Sequence, residues 1–328
     1  MITRFKKILY LSIVAGMFWY SGLPAADIRT GLEVEFRTFY FPVSQPQFSF
    51  QLREAKLFFD TFISDHASAL IEFRLQEGLN KTGLDRGYFV WLIPRYHSQI
   101  KFGQIRIPFG FWQTYTITRS LTKDLPLGED NFFPGFKLRK LDVGLEIQSN
   151  INNVNVMVGV VNGNSIDAAV DENDQKDFFA KVGFQMPYTF FHLSSYFGTA
   201  SPRNDVPASV ASGNRTIRAL GGDFLFSKGK LSISGEMADI KYGDAHSIGG
   251  YGQFSYDLLS LIYGLRLIGR VEYLDPDKNN SGDEVWQNVL GIKQTLGRGT
   301  TLQIEYRYHT RQFTKAENGV LLEIEVEL

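Results

Sequence analysis

Residues whose types and spacing could do chemistry fall into a few groups. His192-Leu-Ser194 sets a base and a hydroxyl two residues apart. Nucleophilic catalysis would need that His to activate the Ser and a third group to orient the imidazole, and no Asn stands nearby. The alternative is a polar pair on one face of a strand. The stretch from Asp275 to Glu284 is rich in carboxylates and amides like a calcium loop. It lacks the Gly at the sixth position and the Glu at the twelfth that such a loop requires, having Asn280 and Trp286 there. Asp167, Asp171, Glu172, Asp174 and Asp177 form an acidic run, either a solvated loop or a holder of divalent cations. The five His are scattered without metal-ligand spacing. There is no Gly-x-Ser-x-Gly elbow, no His-Glu-x-x-His helix and no Gly-rich phosphate cradle. No catalytic centre, metal site or cofactor is expected, and the chain reads as a non-enzyme.

The largest charged group is dispersed rather than clustered, with charges alternating with apolar residues. Examples are Glu33, Glu35 and Arg37, then Glu72 and Arg74, Asp142 and Glu146, Lys181, Glu236, and Arg266, Arg270 and Glu272. Lys293, Glu305, Arg307, His309 and Arg311 continue the pattern. Period-two alternation is the mark of β-strands. It predicts strands near 28–41, 48–63, 66–77, 85–93, 97–108, 139–149, 153–163, 177–187, 189–199, 215–227, 230–242, 246–257, 264–274, 284–296, 300–312 and 319–328, about sixteen. The intervening faces are apolar, as in Val154/Val156/Val158/Val160 and Leu302/Ile304/Tyr306/Tyr308. Little apolar residue content remains to cover those faces with a core. The expected fold is therefore all-β, a transmembrane antiparallel barrel whose apolar faces meet lipid and whose charges line a lumen.

Residues 1–26 read as a secretory signal: Arg4, Lys6 and Lys7, an apolar run, then a small-residue end at Ala25 and Ala26. The barrel occupies 27–328. Removal of the signal takes three of the 34 basic residues and none of the 35 acidic ones, leaving about −4. That balance, with no basic cluster interleaved with aromatics, excludes a nucleic-acid partner. There is no Cys, so no disulfide stabilises the exported chain. The connections alternate between tight turns and longer polar loops such as 78–84, 164–176, 200–214 and 314–318. This asymmetry is that of bacterial outer-membrane barrels, and it assigns the chain to that membrane. Aromatics near strand ends (Tyr40, Tyr196, Tyr242, Tyr256, Tyr273, Trp286) are expected to form interfacial girdles.

The longest connection, 109–138, follows the fifth strand. A loop of that length usually has a task, and in a pore it is expected to fold inward and narrow the lumen. Its charged residues would then be the constriction: Arg119, Lys123, Asp124, Glu129 and Asp130.

Three stretches carry a family resemblance: Phe50-Gln-Leu-Arg-Glu-Ala-Lys-Leu-Phe-Phe59, Ala69-Leu-Ile-Glu-Phe-Arg-Leu75 and Lys101-Phe-Gly-Gln-Ile-Arg-Ile-Pro-Phe-Gly110. Over about residues 48–125 the chain resembles the phosphate-selective porin O and P family. The resemblance implies a sixteen-stranded, trimeric, water-filled pore for small anions or general solutes. It also implies that Arg53, Lys56, Lys101 and Arg106 are pore-lining cations, joined by parity with Arg74, Arg266, Arg270, Arg307 and Arg311. The chain departs from the family at Arg53-Glu54, where one charge is reversed, and at Phe111-Trp112, where a Glu is missing.

The expected function is passive diffusion of small hydrophilic solutes, anionic or neutral, with an anion or phosphate preference. The expected partners are the lipid bilayer, lipopolysaccharide and two further copies of the chain. Two alternatives stay open: a barrel enzyme, since His192-x-Ser194 resembles the spacing in outer-membrane phospholipase, and a plugged structural or adhesive barrel.

Overall fold

The computed structural model describes residues 27–41, 47–76, 81–110, 141–163, 175–199, 216–258, 264–297, 300–311 and 314–327. The expected export signal, 1–26, lies outside them. Sixteen strands run in chain order: β1 Asp27–Phe41, β2 Gln47–Ser64, β3 Ala67–Gln76, β4 Lys81–Ile93, β5 Ser98–Arg106, β6 Leu141–Ile151, β7 Val154–Val161 and β8 Asp177–Met186. β9 Thr189–Thr199, β10 Thr216–Lys228, β11 Leu231–Tyr242, β12 Ala245–Asp257, β13 Leu265–Asp275, β14 Val285–Gly297, β15 Thr300–Arg311 and β16 Thr314–Glu327 complete the set. Each pairs antiparallel with its sequence neighbours, and β1 pairs with β16 from Glu33↔Glu327 to Tyr40↔Val320, closing the barrel. Closure matters because an open edge would leave unpaired amides and carbonyls in lipid.

Two boundaries differ from the sequence reading by more than two residues. β4 begins at Lys81, since Lys81–Leu84 pairs with the end of β3. β16 begins at Thr314, extending pairing with β15 through 314–318. Ladder hydrogen bonds are made by backbone, so polar residues join a strand wherever a neighbouring edge waits for them. Several links are two-residue turns. Gly229 takes φ +61° in the β10–β11 turn, a conformation open to glycine at no steric cost.

Alternation sorts the two faces as expected over most of the wall. Phe102 (64% exposed), Leu145, Leu290, Ile304 and Tyr306 face out, while Lys56, Glu72, Glu146, Gln253, Gln287 and Glu305 are buried on the inside. No helix among the described residues is long and apolar enough to span a membrane; the crossing elements are strands.

One part of the inner wall departs from the expected polarity. Phe179, Tyr196, Ile217, Ala219, Ala238, Ile240, Leu274 and Val285 are buried in one cluster with Ile105, Ile107 and Phe109. Tyr196 is thus not a girdle residue; it points inward, and its hydroxyl donates to Asp177. Tyr256 and Trp286 do face out, and Trp286 packs on Tyr273 with ring centroids 4.8 Å apart. The inward apolar patch exists because a segment of chain leaves the wall and needs a dry seat inside.

Candidate functional site: the lumen and the segment that crosses it

The inner face is a ladder of matched charges. Arg86 and Glu72 are cross-strand partners joined at 2.5 Å. Lys101 Nζ lies 2.7 Å from Glu146 Oε1, again directly across from it. Along single strands, Arg270 pairs with Glu272 and Arg307 with Glu305, each at 2.5 Å. Residues i and i+2 share a face in a strand, so one strand can supply both members of an ion pair.

Of the cations expected in the pore, Lys56 and Arg74 stand opposite each other on β2 and β3, and Lys56 is buried. Lys101, Arg270 and Arg307 are on the inner face in the pairs just given. Arg266 lies near the turn-side end of β13, paired with Asp257 at 2.5 Å. Arg53 is the extra residue of a bulge: Glu35 pairs with Glu54 and Phe36 with Leu52. The bulge shifts the alternation of β2 by one residue at this point. The backbone of Arg311 ends β15 opposite Val285; the side chains of Arg53 and Arg311 lie outside the described residues. Arg106 differs from the expectation. β5 pairs with β6 without a slip from Ser98 to Arg106, so Arg106 has the parity of outward Phe102 and lies on the opposite face from Lys101. Arg119, Lys123, Asp124, Glu129 and Asp130 lie outside the described residues.

The start of the long third loop is described, and it turns inward. Beyond β5, Ile107, Pro108, Phe109 and Gly110 are all buried. Their contacts are with β8 to β11, far around the barrel from β5, so the chain crosses the lumen here. Lys181 Nζ donates to the carbonyl of Gly110 at 2.8 Å, and the Gly110 amide donates to Ser194 Oγ at 3.3 Å. Phe109 lies over Gly221 of β10. Gly110 has φ +70°, and a β-carbon there would strike the carboxylate of Glu236. Both the conformation and the close approach therefore call for glycine.

Behind this seat is a buried charge group. Asp223 accepts from His192 Nδ1 at 2.6 Å and lies 3.1 Å from Lys181 Nζ. Lys181 and Asp223 are each about 1% exposed. The buried carboxylate is held by one hydrogen bond and by the charge of the ammonium beside it, and the buried ammonium by that carboxylate and a carbonyl. The Ser194 hydroxyl is turned to Gly110, and the imidazole of His192 is turned to Asp223. The base and hydroxyl of His192-x-Ser194 are thus engaged in holding the crossing segment, with no hydrogen bond between them. Sequence reading placed Lys181 on the inner face but missed its task. The one available indication was Gly110 ending a conspicuous Ile-Pro-Phe-Gly run.

No family model matches the chain, and no curated protein does. Solved structures do match. OmpF of Salmonella typhi, in complex with daunomycin, superposes with a TM-score of 0.72 at 8% identity, covering 92% of this chain and 97% of that one. An anion-selective porin from Comamonas acidovorans gives 0.71 at 12% identity, covering 93% and 100%. OmpT in its trimer form, an outer membrane protein of Vibrio cholerae, gives 0.68 at 10% identity, covering 93% and 100%. The fold is that of outer-membrane porins.

Proposed function

We propose that this chain is a porin of the bacterial outer membrane, exported with loss of residues 1–26 and assembled as a homotrimer, that passes small hydrophilic solutes by diffusion. The observation that carries this reading is a closed barrel with an apolar exterior and a charged interior, crossed by Ile107–Gly110. An Arg or Lys on the lipid side would cost about 2–4 kcal/mol at midplane, whereas the same charges beside a water column cost little and bias which ions pass. The trimeric form recorded for OmpT supports the assembly.

Within that function the narrower reading is an anion preference, with phosphate among the anions. Among the described side chains, the arc from β2 to β4 carries Lys56, Arg74 and Arg86 against Asp60 and Glu72. The arc from β8 to β13 carries Asp177, Asp223, Glu236, Asp257 and Glu272 against Lys181, Arg266 and Arg270. Anions would follow the first arc. The ion pairing of Lys101, Arg270 and Arg307 with neighbouring carboxylates makes the expected preference weak.

Single-channel recording of the refolded protein in planar bilayers, with reversal potential under a salt gradient, tests both levels. Stable open steps with an anion-leaning potential are expected, and Arg74→Glu should move it toward cations. Open steps without preference would remove the anion reading and leave a general porin. Silence from a folded barrel would refute the porin reading itself.

A further inference from the structure

On the outer wall, three basic residues stand abreast on adjacent strands. Arg218 of β10 pairs directly with Lys241 of β11, and Lys241 pairs directly with His246 of β12. Arg218 shares the parity of Leu220 (66% exposed) and Lys241 that of Met237, so the row faces away from the lumen. Arg218 and Lys241 are exposed, and neither has an ion pair among the described residues. Arg218 sits over the outward ring of Phe197, 5.8 Å from its centroid. Carboxylates gather at the His246 end of the row: Asp239 is engaged by His246 Nε2 at 2.7 Å, Asp277 accepts from the His246 amide at 3.5 Å, and Asp244 is exposed in the β11–β12 turn. Like charges placed directly opposite each other destabilise a sheet. The Arg218–Lys241 pair is therefore a cost to the barrel unless an anion lies across it.

The height of the row is set by β10. Arg218 and Lys228 are ten residues apart on the same face, and Lys228 lies over the ring of Tyr188 by the opposite turn. At about 3.3 Å per residue and a tilt near 40°, ten residues climb about 25 Å, the height of the apolar belt of an outer-membrane barrel. Arg218 therefore marks the belt's upper edge, on the rim of the longer loops. Directly beneath the row the wall is concave. A groove of about 510 Å³ is floored by Gly222, Gly235 and Gly252 and walled by Phe224, Met237 and Trp286. Nothing lies within 4 Å above Gly252. Cations at headgroup height over an apolar groove of hydrocarbon depth match a molecule with a phosphate at one end and an acyl chain at the other.

We propose that Arg218 and Lys241, with the groove below them, form a binding site for one phosphorylated glycolipid of the outer leaflet, lipopolysaccharide, its phosphate across the cations and an acyl chain over the glycines. The proposal rests on the outer-membrane placement argued above, not on conduction. Charge-assisted hydrogen bonds from Arg and Lys to phosphate supply the headgroup contact.

The test is binding of purified lipopolysaccharide to the folded, detergent-purified protein, with phosphatidylglycerol nanodiscs as a second probe. Folding is checked by the heat-dependent gel shift, and bilayer conductance is measured on the same samples. Each surface cation contributes about fivefold to anionic-lipid binding, so Arg218→Gln with Lys241→Gln should weaken lipopolysaccharide binding by about thirtyfold. Enzymatically dephosphorylated lipid should bind wild type as weakly as the native lipid binds that variant. Gly252→Leu, which fills open space in the groove, should also weaken binding while conductance is unchanged. Undiminished binding by the double glutamine variant, or equal binding of dephosphorylated lipid to wild type, would overturn the site. So would nanodisc binding that depends on the two cations while lipopolysaccharide binding does not. Lost conductance with intact lipid binding would count against the porin reading alone.

Discussion

Lys181 is the place where a single substitution should change the pore without touching what lines most of it. Its ammonium donates to Gly110 at 2.8 Å and neutralises Asp223 at 3.1 Å, in a site about 1% exposed. In Lys181→Met the carbonyl of Gly110 loses its donor and Asp223 keeps only His192. Removing one member of a buried ion pair costs about 3–5 kcal/mol, because the remaining charge stays buried without its partner. Here part of that cost is avoided if the crossing segment lets go and water reaches Asp223. A loss of about 3 kcal/mol from the docked state shifts its equilibrium by about 150-fold. The lumen should then open, giving larger and noisier single-channel steps than wild type. The companion Lys181→Met/Asp223→Asn removes both charges. It should recover the barrel's resistance to heat in detergent, since no unpaired carboxylate is left, but not the quiet conductance, since Gly110 still lacks its donor. A folded Lys181→Met protein with wild-type step size and noise would refute the reasoning, because the segment would then be held without this contact.

Two further outcomes follow from the two faces and the rim. Leu290, 59% exposed near the middle of β14, faces lipid, so Leu290→Arg should cost about 2–4 kcal/mol in urea unfolding from lipid vesicles; an unchanged midpoint would mean that this face does not meet lipid. Asp283, in the connection after β13, has its carboxyl held above the usual carboxylate range by burial first and by the nearby charge of Asp275 second. The folded rim therefore keeps a proton that the unfolded chain gives up at about 3.8, so stability falls as pH rises from there through the higher folded value and is level beyond it. Asp283→Asn should lessen that slope and be the more stable protein at neutral pH, and a slope unchanged by the substitution would exclude Asp283 as a source of it.

How far the barrel could be read in advance depends on which interactions are local. Strand number, direction and facing follow from period two and from the turns, because a strand's apolar face must be hidden from water and lipid is what hides it. That logic holds for Leu145, Leu290, Ile304 and Tyr306 outside and for Glu72, Glu146, Arg270 and Glu305 inside. It failed where pairing or packing is set by distant chain. A bulge at Arg53 re-phased β2, and a one-residue slip is silent in composition, whereas the odd spacing of Lys101 and Arg106 already sets them on opposite faces of an unbroken strand. Tyr196 and Ile240 are apolar yet face inward, since their neighbours are Ile107 and Phe109, which arrive from across the barrel. The sequence by itself determined the closed strand meander, its lipid face and its balance of charge. Only the tertiary structure decided that Lys181, Ser194 and Gly110 meet, and that Arg218, Lys241 and His246 stand in one row, because those residues are brought together by barrel closure and register and not by their spacing along the chain.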